Sequence, residues 1–205
     1  MIRRLFRRPS RPAPPLPEAE LARRLTDRSY CSAIDGSVLR AADGAYWPEA
    51  PFGWKNPPEP TEDVVFEEGY MEMLTHNYAR RDGNFLLRAY LPIAVKDTES
   101  QVFLGVWCSL SSGNHARFRS AQQRGDAQNM GEQFSWLYTQ LPPLSGPLLT
   151  KGVLVPYSEG RTPFYWITDE KHPLYPAQQE GMRASEILDL YEELGCGEVV
   201  RHLKA

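Results

Sequence analysis

Cysteine is scarce in this chain, and the short motifs that mark familiar chemistries are missing. The three Cys, at 31, 108 and 196, are odd in number and widely spaced. They imply no disulfide framework, and a reducing, cytoplasmic setting is expected. No paired C-x-x-C and no H-E-x-x-H is present, so no metal site is expected. Neither G-x-x-x-x-G-K-[ST] nor G-x-G-x-x-G at a strand–helix junction occurs, which leaves nucleotides and other cofactors without support. No Ser sits in a G-x-S-x-G elbow. Apolar runs are short, none approaching the ~20 residues of a membrane span, so no transmembrane segment is expected. Met1 to Arg8 is basic but leads into a Pro-rich run. A secretory leader would need about 7–15 apolar residues there, so none is expected.

Proline and glycine, by contrast, are plentiful, at 18 and 15 of 205 residues. They favour short elements joined by many turns. The net charge of -3 is unevenly spread: residues 1–30 carry +5 and the remainder -8. A body of that sign repels a phosphate backbone, so nucleic acid is not expected on the folded part. Residues 1–17, with five Pro and five Arg, cannot bury a core and read as a disordered tail. Residues 18–205 read as one domain, a size that suits a single core.

Leu21, Ala22 and Leu25 predict a helix from Glu18 to about Arg28. The stretch from Tyr30 to Pro60 is dense in turns, and its Tyr46, Trp47, Phe52 and Trp54 are expected to pin it onto the main body. Val64 to Phe66 is a short apolar run. Phe85 to Val95 and Val102 to Leu110 predict two long antiparallel strands, preceded by the turn dipeptide Asp82-Gly83. Pro92 inside the first requires an edge or a bulge. A helix capped by Ser112 or Asn114 is predicted through about Gln123, and another over Gly131–Thr139. Strands are predicted at Gly152–Tyr157 and Pro163–Thr168, around Ser158-Glu159-Gly160. A last helix, Ala184 to about Leu194, is closed by Gly195. The fold class that follows is α+β: an antiparallel sheet built from hairpins, with short helices packed on it.

Catalytic candidates are few. His115 could serve as base to Cys108 or Ser109 in a hydrolase-like pair. The plainer readings are a surface or capping His and a buried Cys in an apolar strand. His76 and His202 read as solvated. Glu67-Glu68 and Glu192-Glu193 are adjacent in sequence, which points their carboxylates apart and makes neither a general acid–base couple. Trp107, Trp136, Tyr138 and Trp166, with His172, are candidates for a ligand pocket, though a core is the plainer reading for the rings. Pro173 imposes extended geometry on His172, where a hydrogen bond to backbone is the plainer role.

Several ordered pieces resemble a known family. They are Asp82-Gly83-Asn84-Phe85 through Ile93, Phe103-Leu104-Gly105-Val106-Trp107-Cys108-Ser109-Leu110-Ser111, and Phe134-Ser135-Trp136-Leu137 with Leu141-Pro142. His172-Pro173-Leu174, Gln178 and Gly181-Met182 close the set. Together they resemble the bacterial domain of unknown function 2199, over about residues 81–182 within a family-like part of about 63–195. The resemblance also implies a C-x-x-C-G element near the start. Here it is degenerate, Cys31-Ser32-Ala33-Ile34-Asp35-Gly36, and one thiolate cannot make a structural zinc site.

The resemblance carries no activity. Abundant aromatics, turn-rich loops and absent catalytic motifs lead to the expectation of a non-enzymatic binding protein, such as an immunity-like or regulatory module with a protein partner. A basic partner would suit the acidic body. The alternatives are a small-ligand-binding protein with an aromatic pocket, or a Cys/Ser–His hydrolase.

Overall fold

The computed structural model describes residues 15–27, 46–60, 72–144, 146, 149–157 and 162–205. The Arg/Pro-rich residues 1–14, the Cys31 element, Val64–Phe66, Glu67-Glu68 and the Ser158–Gly160 turn lie outside them.

Two long strands, β3 (Asn84–Ala94) and β4 (Gln101–Leu110), form the predicted hairpin, in register from Phe85↔Leu110 to Ala94↔Gln101. Alternation sends Leu87, Ala89, Leu91 and Ile93 of β3 to the same buried face as Val102, Leu104, Val106 and Cys108 of β4. Before them, β1 (Glu72–Leu74) and β2 (Tyr78–Arg81) extend the sheet. Asp82 and Gly83 turn β2 into β3 with both residues at positive φ. After them come β5 (Gln133–Leu137), β6 (Thr150–Val155) and β7 (Phe164–Ile167), each antiparallel to the one before.

The seven strands follow chain order, and β7 returns to pair with β3, so β3 to β7 close into a small barrel. The sheet is therefore mixed, which corrects the expectation of a purely antiparallel one. The reason is parity. Five strands that alternate in direction cannot close a ring without one parallel pair, and here that pair is β3–β7 at Tyr90↔Phe164.

That parallel seam is short, and side chains and loops extend it. Tyr90 N donates to Pro163 O at 2.8 Å. Two residues on, Pro92 has no N–H to offer, and it occupies the seam side of β3 rather than a paired edge. Gln178 fills this place. Its Nε2 donates to Pro92 O (3.2 Å) and Tyr165 O (3.0 Å), while its Oε1 accepts from Ile167 N (2.8 Å). Farther along, Met182 N donates to Ala94 O and Lys96 N to Met182 O. Gly181 lies so close that a Cβ there would stand 2.8 Å from Ala94 O.

Among the described residues five α-helices pack around the barrel: α1 (Glu18–Thr26), α2 (Ser112–Arg124), α3 (Leu174–Gln179), α4 (Ala184–Glu193) and α5 (Gly197–Lys204). The Ser111 hydroxyl caps α2, accepting from Asn114 N. Arg24 of α1 donates to Leu203 O of α5, and Glu18 accepts from Ser185 N of α4, tying the three together. Neither α3 nor α5 is marked in the sequence, so His202 stands half-buried on a helix rather than solvated in a tail. His76 is exposed. Among the described residues no helix is long and apolar enough to cross a membrane.

The helix expected over Gly131–Thr139 is instead β5, preceded by a 3-10 turn at Ala127–Met130. Its side chains alternate with the polar ones inward: Gln133 and Ser135 are buried, while Phe134 and Trp136 face out. The inner polar groups are satisfied locally. Gln133 Nε2 donates to Met130 O, and Ser135 Oγ to Ser109 O at 2.6 Å. An inverted polarity of this kind hides the two-residue period from a reading that expects apolar groups inside.

Candidate functional site

Cys108 and Ser109, as neighbours on β4, point to opposite faces. Cys108 is wholly enclosed by the barrel, its Sγ donating to Leu87 O at 3.5 Å. Burial pushes its thiol up to about 12, so it stays protonated at neutral pH. Ser109 joins β4 to β5 where the ladder has a single bridge, Cys108↔Leu137. Its Oγ accepts from Trp136 N at 3.3 Å and its carbonyl from Ser135 Oγ.

His115, in the first turn of α2, is buried against Tyr78 and Phe85, with ring centroids 5.8 and 4.9 Å away. Burial first, then the charges of Arg119 and Arg80, push its imidazole down to about 4. The three residues thus serve different contacts: an interior thiol, a strand-joining hydroxyl and a neutral ring packed on aromatics.

The low value for His115 has a measurable consequence. Between pH 6.5 and about 4 the unfolded chain holds a proton here that the folded chain does not. Stability therefore rises with pH across that window and is lost on acidification, by up to about 3 kcal/mol. Urea midpoints measured across this range should show the acid loss, and His115→Gln should flatten it.

The aromatic candidates divide between two places. Trp107 is fully buried on the outer face of the β3–β4 hairpin, with Tyr138 packed in the same cluster and Tyr138 N donating to Trp107 O. The buried guanidinium of Arg88 lies between Trp107 and Trp47, 4.8 and 5.0 Å from their rings. Arg88 Nη2 donates to Pro48 O and Glu49 O, and Trp107 Nε1 to Pro48 O. The described part of the turn-dense segment, residues 46–60, is thereby fastened to the hairpin. Tyr46 O and Phe52 N supply further bonds, to Gly105 N and Tyr138 O. His172 stands apart near α3, its Nδ1 accepting from Leu174 N at 3.1 Å and its ring against Gly146.

Trp136 and Trp166 instead belong to the outer face of β5–β6–β7. Phe134, Val153 and Trp166 lie in register across the three strands, with Trp136↔Lys151 and Val155↔Phe164 beside them. Phe134 is 56% exposed and Tyr157 42%. A chain of rings continues the face around the barrel, from Tyr157 through Phe164 and Phe103 to Tyr90, with successive centroids 5.3 to 5.8 Å apart. A shallow hollow of about 500 Å³ lies along it, bordered by Trp166, Val155, Tyr175 and Glu132. Sequence reasoning missed Phe134, Phe164 and Tyr157 as partners of Trp136 and Trp166, because a helix at 131–139 takes Phe134 and Trp136 out of the sheet and nothing local sets the register that brings Phe164 and Tyr157 beside them.

No group of three or more His, Cys, Asp or Glu able to hold a metal occurs among the described residues. The fold also accounts for the motif pieces: the hairpin, the Trp107 anchor, Gln178 in the seam and Gly181 against Ala94. The family model for an uncharacterized protein conserved in bacteria, DUF2199, matches residues 45–182. The chain belongs to this family. The DUF2199 match begins at residue 45, beside the Trp47 segment and ahead of β1 at Glu72, and stops at Met182 in the seam. Cys31 precedes the DUF2199 match. Neither curated proteins nor solved structures give a match.

Proposed function

We propose that the protein is a non-enzymatic binding module that takes a basic protein partner on the outer face of β5–β6–β7. The observation that carries this reading is the register row Phe134–Val153–Trp166, with Trp136 and Tyr157 at its sides. Aromatic side chains in the open provide the anchors from which protein interfaces draw most of their energy. The charge of -8 after residue 30 would steer a cationic partner, and Glu132 borders the face. The sealed thiol of Cys108 and the neutral, packed His115 also favour binding over nucleophilic chemistry.

Photo-crosslinking in cells tests this. With p-benzoylphenylalanine in place of Phe134, irradiation should yield an adduct with a basic protein. The same group in place of Glu192, an exposed residue of α4, should yield none. Trp166→Ala should weaken binding of the identified partner by about 2 kcal/mol or more, roughly 30-fold in Kd. No adduct at position 134, or the same adducts from both positions, would overturn the reading.

A further inference from the structure

A second concavity, of about 330 Å³, opens where β2 leaves the edge of β3 and β7 has yet to take its place. The gap is a product of barrel closure. Arg88 N still bonds Asn77 O on the β2 side, whereas Tyr90 N already bonds Pro163 O on the β7 side. Helix α2 covers one flank, and Leu87 and Phe118 supply apolar surface.

The polar lining is rich in donors. Arg119, Gln122 and Gln123 are spaced i, i+3 and i+4 on α2, which puts all three on one side of the helix. Asn77 and Thr162 face them from the barrel edge. Among the described lining residues there is no carboxylate. Tyr78 Oη donates to Gln122 Oε1, a pairing that leaves the carboxamide N–H groups as the donors Gln122 can turn to a guest. Arg119 lies over the Tyr78 ring, its Cζ 5.5 Å from the centroid, which holds the planar fork in place beside the cavity. Arg88 contributes strand surface here, since its own guanidinium is engaged by Trp47, Trp107 and the Pro48 and Glu49 carbonyls.

We infer that this cavity is a binding site for a small oxyanion-bearing molecule, a carboxylate or a phosphate ester, held by Arg119 with the carboxamides of Gln122, Gln123 and Asn77. The volume suits a metabolite-sized guest and is too small for a peptide chain. A fork-shaped cation with several amide donors matches two or three oxygens of one anionic group. The charges of Arg119 and Arg80, which add to burial in lowering His115, mark the same corner as locally positive within an acidic body. This site is separate from the aromatic face, and either could fail without the other.

Inorganic phosphate and succinate, titrated separately into the full chain, serve as probes. Chemical shifts of the Arg119 Nε–H and the side-chain amides of Gln122 and Gln123 should move and saturate for at least one probe. Midpoints on the order of 1–10 mM are expected for such small anions. The probe that saturates first identifies the oxyanion source. Arg119→Gln should weaken the effect about tenfold or more, the scale of one charge-assisted bond. Gln122→Glu keeps an acceptor for Tyr78 while adding negative charge, and it should abolish binding with little change in melting temperature. Arg117→Gln, on exposed α2 surface, should leave it unchanged. Shifts that never saturate for either probe, or that persist equally in Arg119→Gln and Gln122→Glu, would overturn the assignment.

Discussion

Replacing Gln178 by leucine is expected to destabilise the fold by about 3–6 kcal/mol, with urea unfolding as the measurement. Leucine matches glutamine closely in size, so the change removes bonds and leaves little void. Three buried main-chain groups lose their partner together: Pro92 O, Tyr165 O and Ile167 N. Each such orphan costs about 1–3 kcal/mol when water cannot reach it. The loss would be a large share of the 5–15 kcal/mol typical of a domain.

A companion variant separates this account from a general packing defect. Gln178→Glu keeps an acceptor for Ile167 N but sets a carboxylate against two carbonyl oxygens. Relative to the parent protein at the same pH, it should be most harmful at pH 8 and recover partly on acidification, as a protonated acid regains one donor. A pH-independent deficit would argue that the seam does not depend on these bonds.

Gly105→Ala should have the second-largest effect, about 2–3 kcal/mol, and a different character. A Cβ on Gly105 would stand 2.1 Å from Cε3 of Trp47, so the ring must lift off β4. With it go the sandwich around Arg88, the Trp47–Tyr90 contact at 5.2 Å, and the bonds to Pro48 and Glu49. Residues 46–60 should then come loose while the barrel stays closed. Red-shifted tryptophan emission and faster amide exchange at Phe52, whose N–H bonds Tyr138 O, would report it. Loss of barrel amides at the same rate would instead show that the Trp47 segment and the barrel unfold as one unit.

Much of this architecture is legible residue by residue. The β3–β4 hairpin stands out because two apolar runs, Phe85 to Val95 and Val102 to Leu110, flank a short polar connection. Helices α1, α2 and α4 announce themselves through apolar spacing and end signals, whereas Pro92, expected at an edge or a bulge, pairs with Phe103 of β4 and turns its missing N–H to the seam. Strand β5 is illegible because its polar residues face inward, where Ser109 and the Met130 carbonyl satisfy them. The six residues of α3 are too few for a periodic pattern, and the role of Gln178 depends on contacts 11 and 86 residues away.

The same division holds for the candidate sites. Cys108 in an apolar strand reads as buried, and so it is. Nothing local tells that Trp166 lies in register with Val153 and Phe134, or that Arg119 and Asn77 border one cavity. Composition and periodicity by themselves determined the α+β class, the central hairpin, helices α1, α2 and α4 and the acid–base asymmetry of the chain, because these follow from local spacing and from counts. Closure of the barrel, the parallel seam, the outward aromatic face and the donor-lined cavity were decided only by tertiary structure. Each arises where strands distant in the chain must meet, and a ring of five leaves one join that backbone pairing alone does not complete.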